Sequence, residues 1–363
     1  MTRSNLWLTL VCAALGLAVT LTRSAQSAPA AEQPFYAGKT IRIISGFAVG
    51  GTVDLRARVF ARHLPKWIPG NPAIIVQTMA GAGGQIAANY TFNVAKPDGL
   101  TLLHFPNSAI MNAFMEPASV QYDIRQIAIL WVQDDSWLAV TNPKVTNTRK
   151  AEDVLQTAVK WRAGGVGVTS MRSLRPRLAL ELFGVDHTWV AGYGGSAAMA
   201  VALERGEIHL FEEPMAGYKA IIQPREKEGT AAVLWQTGIL MSDETFKRSE
   251  FIPHIPTLGE ILPKAKKTGP AWEAWKAAVV PQAFQTAIGL PPGVPSDRIA
   301  ILSHALEKMT QDPAYREDHQ RILGQPADAL MGEQAVQVVK TALQYLFENY
   351  QAGVRYLREL PNK

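Results

Sequence analysis

The sequence predicts an α/β protein made of two doubly wound domains, and three observations support this fold class. Strand-like and helix-like segments alternate over about 65 residues after Lys39, a pattern typical of parallel β-α-β units. A second alternating series begins at the segment SWLAVT. The chain has 363 residues, which is enough for two domains that each bury a hydrophobic core.

The first series contains three predicted strands and two predicted helices. Residues 39–47 form the first strand, AIIVQTM the second and LTLLHF the third. Helices are expected at 54–67, where Pro65 can end the helix early, and at 86–94. The first helix is indicated by apolar residues on one helical stripe, namely Leu55, Val59, Phe60, Leu64 and Trp67.

The second series has the same character. We expect strands in SWLAVT, GGVGVTS, HTWVAGYGGS and EIHLFEEP. Helices are expected at the amphipathic RKAEDVLQTAVKW and at RPRLALELFG and AAMAVALERG, which both end at a glycine. The proline-rich segments FIPHIPTLGEILP and IGLPPGVPS are interpreted as ordered connections. Residues 296–309, capped by Ser296, and 333–360 are expected to be helical.

The N-terminal segment, residues 1–30, is predicted to be a secretory signal peptide. Arg3 precedes 16 uncharged residues, LWLTLVCAALGLAVTL, and small residues follow them. Cleavage is expected after Ser27 or Ala30. The alternative is a retained membrane anchor, but the apolar run is shorter than the roughly 20 residues that span a bilayer. Cys12, the single cysteine, lies in this segment, so the mature chain would have no disulfide and no thiolate metal site.

Two glycine-rich corners, AVGGTVD and AGAGGQ, follow predicted strands of the first series. Glycine lets the backbone approach a ligand closely, and the helix that follows presents unpaired N–H groups. Because adjacent parallel strands end at one edge of a sheet, both corners would face the same ligand. The pattern indicates either a site for an anion, most simply a carboxylate, or two plain tight turns. Asp54 could cap its helix, contact the ligand, or do both.

The second series offers two further loops, TSMRS and AGYGGS. Ser170 is one of the hydroxyl residues in the first of them. Arg172 could pair with a ligand carboxylate or be a solvated surface side chain. Tyr193 is expected to line a cleft or its rim, and Ser196 to cap the next helix.

Catalytic, metal and cofactor sites are not indicated, so none is predicted. The seven histidines show no metal-ligand spacing, and no Gly-x-Ser-x-Gly elbow occurs. GAGGQI lacks the last glycine of the dinucleotide fingerprint. Glu212 and Glu213 are adjacent and are expected on opposite faces of a strand, which makes a poor acid–base pair. Trp131, Trp137 and Trp189 are interpreted as core residues. The formal net charge of +5 comes without a dense basic run, so nucleic acid is not an expected partner.

Several segments together resemble the substrate-binding receptors of tripartite tricarboxylate transporters, the Bug family. These segments are KTIRIISGFAVGGTVD, AGAGGQIAANYTFNVAKPDGLTLL, ELFG, YGGSAAMAVALERGEI, IPTLGEI and LPPGVPSDRIAILSHAL. The resemblance extends from about Phe35 to the C-terminal helices. It implies the type II periplasmic-binding-protein fold, in which two α/β domains enclose a ligand cleft. The implied domains are residues 31–136 with 246–363, and residues 137–245.

The resemblance also implies which residues bind the ligand. Such receptors commonly hold a carboxylate between the two glycine-rich loops, with polar side chains after the third strand and from the second domain. The implied residues are Ala48, Val49, Gly50, Gly51, Asp54, Ala82, Gly83, Gly84, Gln85, Asn107, Ser108, Ser170, Arg172 and Tyr193. The chain departs from the family pattern at Val49, where proline is usual, and at Arg172. The arginine indicates either a second anionic group on the ligand or a changed specificity.

The sequence therefore predicts a periplasmic solute receptor, not an enzyme, that captures a small organic carboxylate by closure of its two domains. Its expected partners are that carboxylate and the permease subunits of a tripartite transporter, and the receptor is expected to be a monomer. One alternative is a sensing module that presents its closed form to a sensor protein. Another is a periplasmic enzyme on the same fold.

Overall fold

The computed structural model describes residues 33–50, 52–115, 117–168, 170–241, 243–349 and 351–360. The chain from Tyr36 onward forms one compact unit. The predicted signal peptide, residues 1–30, lies outside the described residues. Within the described ranges, every helix is too short or too polar to cross a membrane.

The described strands of this unit form four sheets, which have six, three, two and two strands. In chain order the strands are β1 Thr40–Ser45, β2 Ala73–Thr78, β3 Thr101–Pro106, β4 Ala128–Gln133, β5 Trp137–Thr141, β6 Trp161–Gly164, β7 His187–Val190, β8 Phe211–Pro214, β9 Ala232–Gln236, β10 Ile239–Leu240, β11 Phe246–Lys247, β12 Thr286–Leu290 and β13 Leu330–Met331.

Helices connect and cover these strands. In chain order the α-helices are α1 Thr52–His63, α2 Gln85–Asn93, α3 Asn107–Met115, α4 Pro143–Thr146, α5 Met171–Phe183, α6 Ser196–Glu204, α7 Met215–Gly217, α8 Gln223–Lys227, α9 Leu258–Ile261, α10 Gly269–Val279, α11 Ser296–Gln311, α12 Pro313–Leu323, α13 Gly332–Gln344 and α14 Gln351–Glu359. Short 3₁₀ helices occur at Pro65–Trp67, Ala82–Gly84, Pro117–Ser119, Ile124–Gln126, Ala151–Leu155, Lys264–Lys266 and Val280–Phe284, and π-helical turns at Tyr218–Ile222 and Tyr345–Asn349.

The six-stranded sheet has the strand order β13-β4-β12-β3-β1-β2. β1 runs parallel to both β2 and β3, so that Ser45 lies beside Thr78 and His104. The carboxyl ends of these three strands therefore share one edge, which confirms the predicted β-α-β units of the first series. β12 runs antiparallel to β3 and β4 and separates them.

The core of this sheet is formed by the apolar faces that the sequence predicts. The isoleucines of β1 and Phe60 of α1 are buried. Phe60 meets Trp131 of β4 edge-on, with 5.0 Å between the ring centroids. α1 ends at His63 and Pro65 begins a 3₁₀ turn, as expected for a proline that cannot continue a helix.

The second alternating series forms a separate group of strands. β5 lies between β8 and β9 in an antiparallel sheet of three strands. β6 and β7 form a parallel pair, and a bridge between Ala163 and Leu210 connects β6 to the residue that precedes β8. α5 ends at Gly184, which has a φ of 76°, as predicted for a helix closed by glycine. The alternation of helices with two groups of strands confirms the α/β class.

The helix predicted over RKAEDVLQTAVKW is wrong. Within this segment only Ala151–Leu155 is helical, as a short 3₁₀ helix, and the chain then continues to β6. The Asp153 carboxylate accepts a hydrogen bond from the Lys150 amide at 3.1 Å. The Thr157 hydroxyl accepts one from the Val159 amide at 3.3 Å. Such local bonds between side chain and backbone compete with helix continuation.

Two predictions for the C-terminal half also need correction. Ser296 does not cap α11, because it is the first helical residue and Pro295 occupies the capping position without a side-chain bond. The helix predicted over 333–360 is interrupted by the π-helical turn Tyr345–Asn349. The unpredicted elements include β4, β9, α3, α10 and α12, and β12 lies partly in a segment predicted as a connection.

Candidate functional site

Three loops lie together at the edge where β1, β2 and β3 end. The first corner, residues 46–51, follows β1, the second corner, residues 79–84, follows β2, and the start of α3 follows β3. A Cβ atom added to Gly46 would lie 2.9 Å from the Cα atom of Gly84, so the two corners touch through their backbones. The Met79 amide also donates to the Ser45 carbonyl at 2.8 Å. The structure thus brings the two predicted glycine-rich corners together.

The first corner exposes Ala48, Val49 and Gly50, while Gly51 lies outside the described residues. The Gly50 amide donates to Asp54 at 3.0 Å, so this predicted donor is already used. The amides of Ala48 and Val49 donate no hydrogen bond within the described residues. These two N–H groups are the ones that the first corner can offer to an anion.

Asp54 holds the first corner in place. It is the third residue of α1, its side chain is fully buried, and it accepts hydrogen bonds from Arg58 Nε at 2.8 Å and Nη2 at 3.1 Å. Burial alone would raise the pKa of Asp54, but the hydrogen bonds from Arg58 and Gly50 outweigh it and keep that pKa below its usual value. Asp54 is therefore not at the capping position; its carboxylate accepts the Gly50 amide from the turn before the helix, and its side chain has no exposed surface.

The second corner has an unusual backbone in which four successive residues have positive φ angles. The angles are 136° at Gly81, 44° at Ala82, 61° at Gly83 and 94° at Gly84. Successive residues of this kind can turn their N–H groups toward one concave side, where they attract anions. Within the described residues, the amides of Ala82 and Gly83 donate no hydrogen bond, and both residues are exposed.

α3 fixes the shape of the second corner. The Ser108 hydroxyl donates to the Gly83 carbonyl at 2.8 Å, and Asn112 Nδ2 donates to the Ala82 carbonyl at 2.7 Å. Both bonds engage the carbonyl side of the peptide units, which leaves the N–H side exposed. Ser108 was predicted as a ligand contact, and here its hydroxyl positions the loop.

Two other predicted side chains are engaged within the fold. Asn107 Nδ2 donates to the Pro281 carbonyl at 3.1 Å and to Gln285 Oε1 at 2.7 Å. Gln85 is buried, and its Nε2 donates to the Ser119 hydroxyl at 2.9 Å. These bonds tie the edge of the sheet to neighbouring segments.

The loops of the second series contribute Ser170, Arg172 and Tyr193. Ser170 caps α5 by accepting a hydrogen bond from the Arg172 amide at 3.3 Å. Tyr193 is half-buried against the core of the three-stranded sheet. Ser196 does not cap α6, because Gly195 takes the capping position without a side-chain bond. Thr169 lies outside the described residues.

Arg172 is not a solvated surface residue, which was one of the two interpretations that the sequence left open, and it already pairs with a carboxylate of the protein. Its side chain is only 12% exposed. Nη2 donates to Glu213 Oε2 at 2.7 Å and to the Ser196 hydroxyl at 2.8 Å, and Nε donates to the Glu212 carbonyl at 2.9 Å. The guanidinium also lies over the Trp137 ring, 5.5 Å from its centroid.

Glu212 and Glu213 were expected on opposite faces of a strand, yet both pair with arginines of α5. Glu212 contacts Arg175 Nε at 2.6 Å, beside the bond between Glu213 and Arg172. Burial raises the pKa of Glu212, which Arg175 opposes. Burial likewise raises the pKa of Glu213 to about 7, although Arg172 opposes this shift. The result is a buried double ion pair between β8 and α5.

Trp137 and Gln285 connect the two halves of the candidate site. Gln285 Oε1 accepts hydrogen bonds from Asn107 at 2.7 Å and from Trp137 Nε1 at 3.3 Å. The Arg172 guanidinium in turn lies over the Trp137 ring. A continuous chain of contacts therefore runs from the end of β3 to the Arg172–Glu213 pair.

Sequence reasoning did not identify Trp137 and Gln285 as site residues. Gln285 and Asn107 are 178 positions apart, and no local pattern links them. For Glu213 a signal was present: two adjacent acids lie on one strand, and the helix sequence MRSLRPR places arginines at positions 172 and 175. Residues three apart share a helix face, so such a helix can satisfy two neighbouring acids.

A cavity of about 280 Å³ lies beside the carboxyl end of β4 and contains none of the predicted site residues. Asp134, Asp135 and Asp328 line it, and burial raises the pKa of Asp135 to about 8. Lys247 also lines the cavity but pairs with Glu250 at 2.9 Å. An acidic lining does not favour an anionic ligand.

Comparisons with known proteins identify the family. No family model matches the chain. The protein BugT of Bordetella pertussis is 32% identical over 234 residues, which cover 62% of this chain and 67% of BugT. The chain belongs to the Bug family. A UPF0065 protein of Bordetella bronchiseptica is 25% identical over 312 residues, covering 82% of each chain.

Solved structures support the same fold for this Bug protein. A TctC solute-binding protein from Polaromonas, without ligand, has a TM-score of 0.66 and 19% identity over 88% of this chain and 99% of its own. MatC from Rhodopseudomonas palustris with bound malate has a TM-score of 0.58 and 20% identity, covering 87% and 99%. An R. palustris protein with adipate has a TM-score of 0.61 and 18% identity, covering 88% and 97%. The fold is that of solute-binding proteins.

Proposed function

We propose that this Bug protein is a periplasmic receptor that binds a small organic carboxylate at the edge where β1, β2 and β3 end. The observation that carries the proposal is the pair of touching corners, where the exposed residues Ala48, Val49, Ala82 and Gly83 have amides that donate no hydrogen bond to any described residue. Backbone N–H groups converging from two loops suit the two oxygens of a carboxylate. The malate and adipate bound to neighbours of the same fold are themselves small organic acids.

The proposed mechanism is capture followed by closure. Residues 31–136 with 246–363 would form one domain and residues 137–245 the other. The carboxylate first binds the two corners, and Ser170 and Tyr193 then approach from the second domain. Ligand contacts made only in the closed state shift the equilibrium toward closure.

The remaining parts of the proposal concern location and output. Export would depend on the predicted signal peptide in residues 1–30, and the receptor would act as a monomer. It would deliver its ligand to the permease of a tripartite tricarboxylate-type transporter. No catalytic role is assigned; the structural neighbours include the periplasmic binding protein BugD and a TctC solute-binding protein.

The first test measures binding of carboxylates and the role of α3 in shaping the second corner. We expect isothermal titration calorimetry to detect at least one of a panel of C3–C8 mono- and dicarboxylates, and no binding of glucose. The double variant Ser108→Ala/Asn112→Ala loses both bonds to the carbonyls of Ala82 and Gly83. It should bind the same acid roughly tenfold more weakly, because the loop is no longer held in its binding geometry.

Asn93→Ala serves as the matched control. Asn93 also donates to backbone carbonyls, those of Asn89 and Gln121, but at the far end of α2. Its affinity for the acid should equal that of the wild type. The proposal fails if no acid binds the folded wild-type protein, or if glucose binds and the acids do not.

A further inference from the structure

The second half of the candidate site contains the buried ion pair between Arg172 and Glu213. Glu213 is fully buried, and Arg172 shows only a small part of its surface toward solvent. Oε2 of Glu213 contacts the guanidinium at 2.7 Å, so the positive charge of Arg172 is neutralised before a ligand arrives. Arg172 Nη1, in contrast, makes no hydrogen bond within the described residues and can still donate to a neutral acceptor.

Glu213 has little room to move away from Arg172. A Cβ atom added to Gly217 would lie 1.7 Å from Glu213 Oε1, so this oxygen is pressed against the backbone of α7. Oε1 itself is buried and has no hydrogen-bond partner within the described residues. A ligand carboxylate that displaced Glu213 would leave a buried carboxylate without its counter-ion, which is strongly unfavourable.

A chain of contacts links this pair to the end of β3, beside the two corners. Trp137 carries Arg172 on its ring and is hydrogen-bonded to Gln285, which also binds Asn107 at the end of β3. A second anionic group on the ligand would therefore approach Arg172 and the buried charge of Glu213 together. Discrimination by such repulsion is a common source of specificity.

We infer that Glu213 is a specificity-determining residue, which makes the ligand of this receptor a monocarboxylate whose second polar group is neutral. The inference rests on the proposed function and narrows its substrate class. Of the two alternatives that the sequence left for Arg172, a second anionic group on the ligand or a changed specificity, it favours the second. The second polar group of such a ligand would be an amide, keto or hydroxyl group, whose oxygen accepts a hydrogen bond from Arg172 Nη1.

The test uses pairs of ligands that differ only in one charge. Succinate and succinamate, glutarate and glutaramate, and adipate and adipamate have matched shapes, with an amide in place of one carboxylate. Calorimetry at pH 8 should show that the wild type binds at least one monoamide tenfold or more tightly than the matched diacid. Glu213→Gln keeps the shape and removes the charge, so the affinity for the diacid should rise tenfold or more and that for the monoamide should change less than threefold.

Glu212→Gln is the matched control. Glu212 lies on the same strand and forms the same kind of buried ion pair, but with Arg175, whose side chain is only 2% exposed. Its removal should leave the ratio of monoamide to diacid affinity unchanged. If Glu212→Gln shifted the ratio as much as Glu213→Gln, the effect would be a general loss of charge and the inference would be overturned.

A second measurement needs no variant and decides the question even if Glu213→Gln does not fold. Between pH 8 and pH 6.5 the wild type should lose part of its preference for the monoamide, because Glu213 gains a proton and then no longer neutralises Arg172 or repels a second carboxylate. The other charged groups that act on Arg172 are Arg175 and Glu212. A constant ratio over this range would overturn the inference. So would a wild type that prefers the diacid, although the proposed function would then stand. Binding of no acid or monoamide at all would overturn both.

Discussion

At the scale of single residues, Glu213 should affect the pH dependence of the free energy of unfolding as well as ligand specificity. Its pKa is raised from an ordinary value of 4.5 to about 7, because burial disfavours the charged form. The folded protein therefore holds this proton more tightly than the unfolded chain between these two values. By linkage, the stabilisation is fully present below pH 4.5 and is lost as pH rises through 7.

We expect Glu213→Gln to remove this dependence on pH. Relative to the wild type, the variant should gain on the order of 1–3 kcal/mol of stability at pH 8.5 compared with pH 5.5. Thermal unfolding at both pH values measures the effect. The exposed Glu152→Gln should follow the wild type. Parallel pH profiles for all three proteins would show that Glu213 does not titrate in this range.

The asymmetry between the arginines of α5 explains why their roles differ. Arg175 is 2% exposed and Arg172 12%, although each pairs with one of two adjacent acids and lies over the Trp137 ring. Arg172 keeps some exposed surface that could meet a ligand, whereas Nη2 of Arg175 is buried. A buried pair such as Arg175–Glu212 joins strand to helix and gives no binding capacity.

At the scale of elements, the close contact of the two corners is the feature most easily broken. Gly46→Ala would place a Cβ atom 2.9 Å from the Cα atom of Gly84, and backbone cannot move aside as a flexible side chain can. We expect a loss of about 1–3 kcal/mol in the free energy of unfolding, from overpacking. The affinity for the carboxylate should fall as well, because the corners are forced apart. Chemical denaturation and calorimetry measure the two effects.

Gly194→Ala is a suitable control for this change. A Cβ atom at Gly194 meets no heavy atom within 4 Å, so stability should change little. If Gly46→Ala were as stable as Gly194→Ala and bound the acid normally, the two corners would not need their close contact.

The elements that the sequence predicted correctly are those with strong local signals. Short apolar runs bounded by turn residues located β1, β2 and β3, and glycines located the ends of α5 and α6. β12 was missed because all five of its residues are buried and prolines follow it, so it has neither alternation nor a turn signal of its own. The failed helix over RKAEDVLQTAVKW shows how Asp153 and Thr157 can override an amphipathic pattern.

The candidate site was predictable only in part, for a physical reason. Its backbone donors follow from glycines next to strands, which is a local property. The partners of Arg172 and Asn107 lie 41 and 178 positions away, so their pairing depends on how the sheets meet. In the sequence, Arg172 is a cation without an evident partner, so it was interpreted as a possible ligand contact. In the folded protein, Glu213 of β8 is its partner.

At the scale of the whole molecule, the proposed receptor should become more compact when it binds. Saturation with the tightest-binding carboxylate should lower the radius of gyration measured by small-angle X-ray scattering, because the two domains close over the ligand. Glucose at the same concentration should cause no change. An unchanged radius of gyration at saturation would contradict closure and leave carboxylate binding intact.

The position of β12 has a consequence for when the molecule can fold. β12 lies between β3 and β4, so neither of these strands has its partner on that side until residues 286–290 have been made. Pairings between segments so distant in sequence form slowly. A chain in mid-synthesis would therefore stay open through most of its length. For the exported receptor that we propose, this late pairing of β12 would keep the newly made chain unfolded and able to cross a membrane.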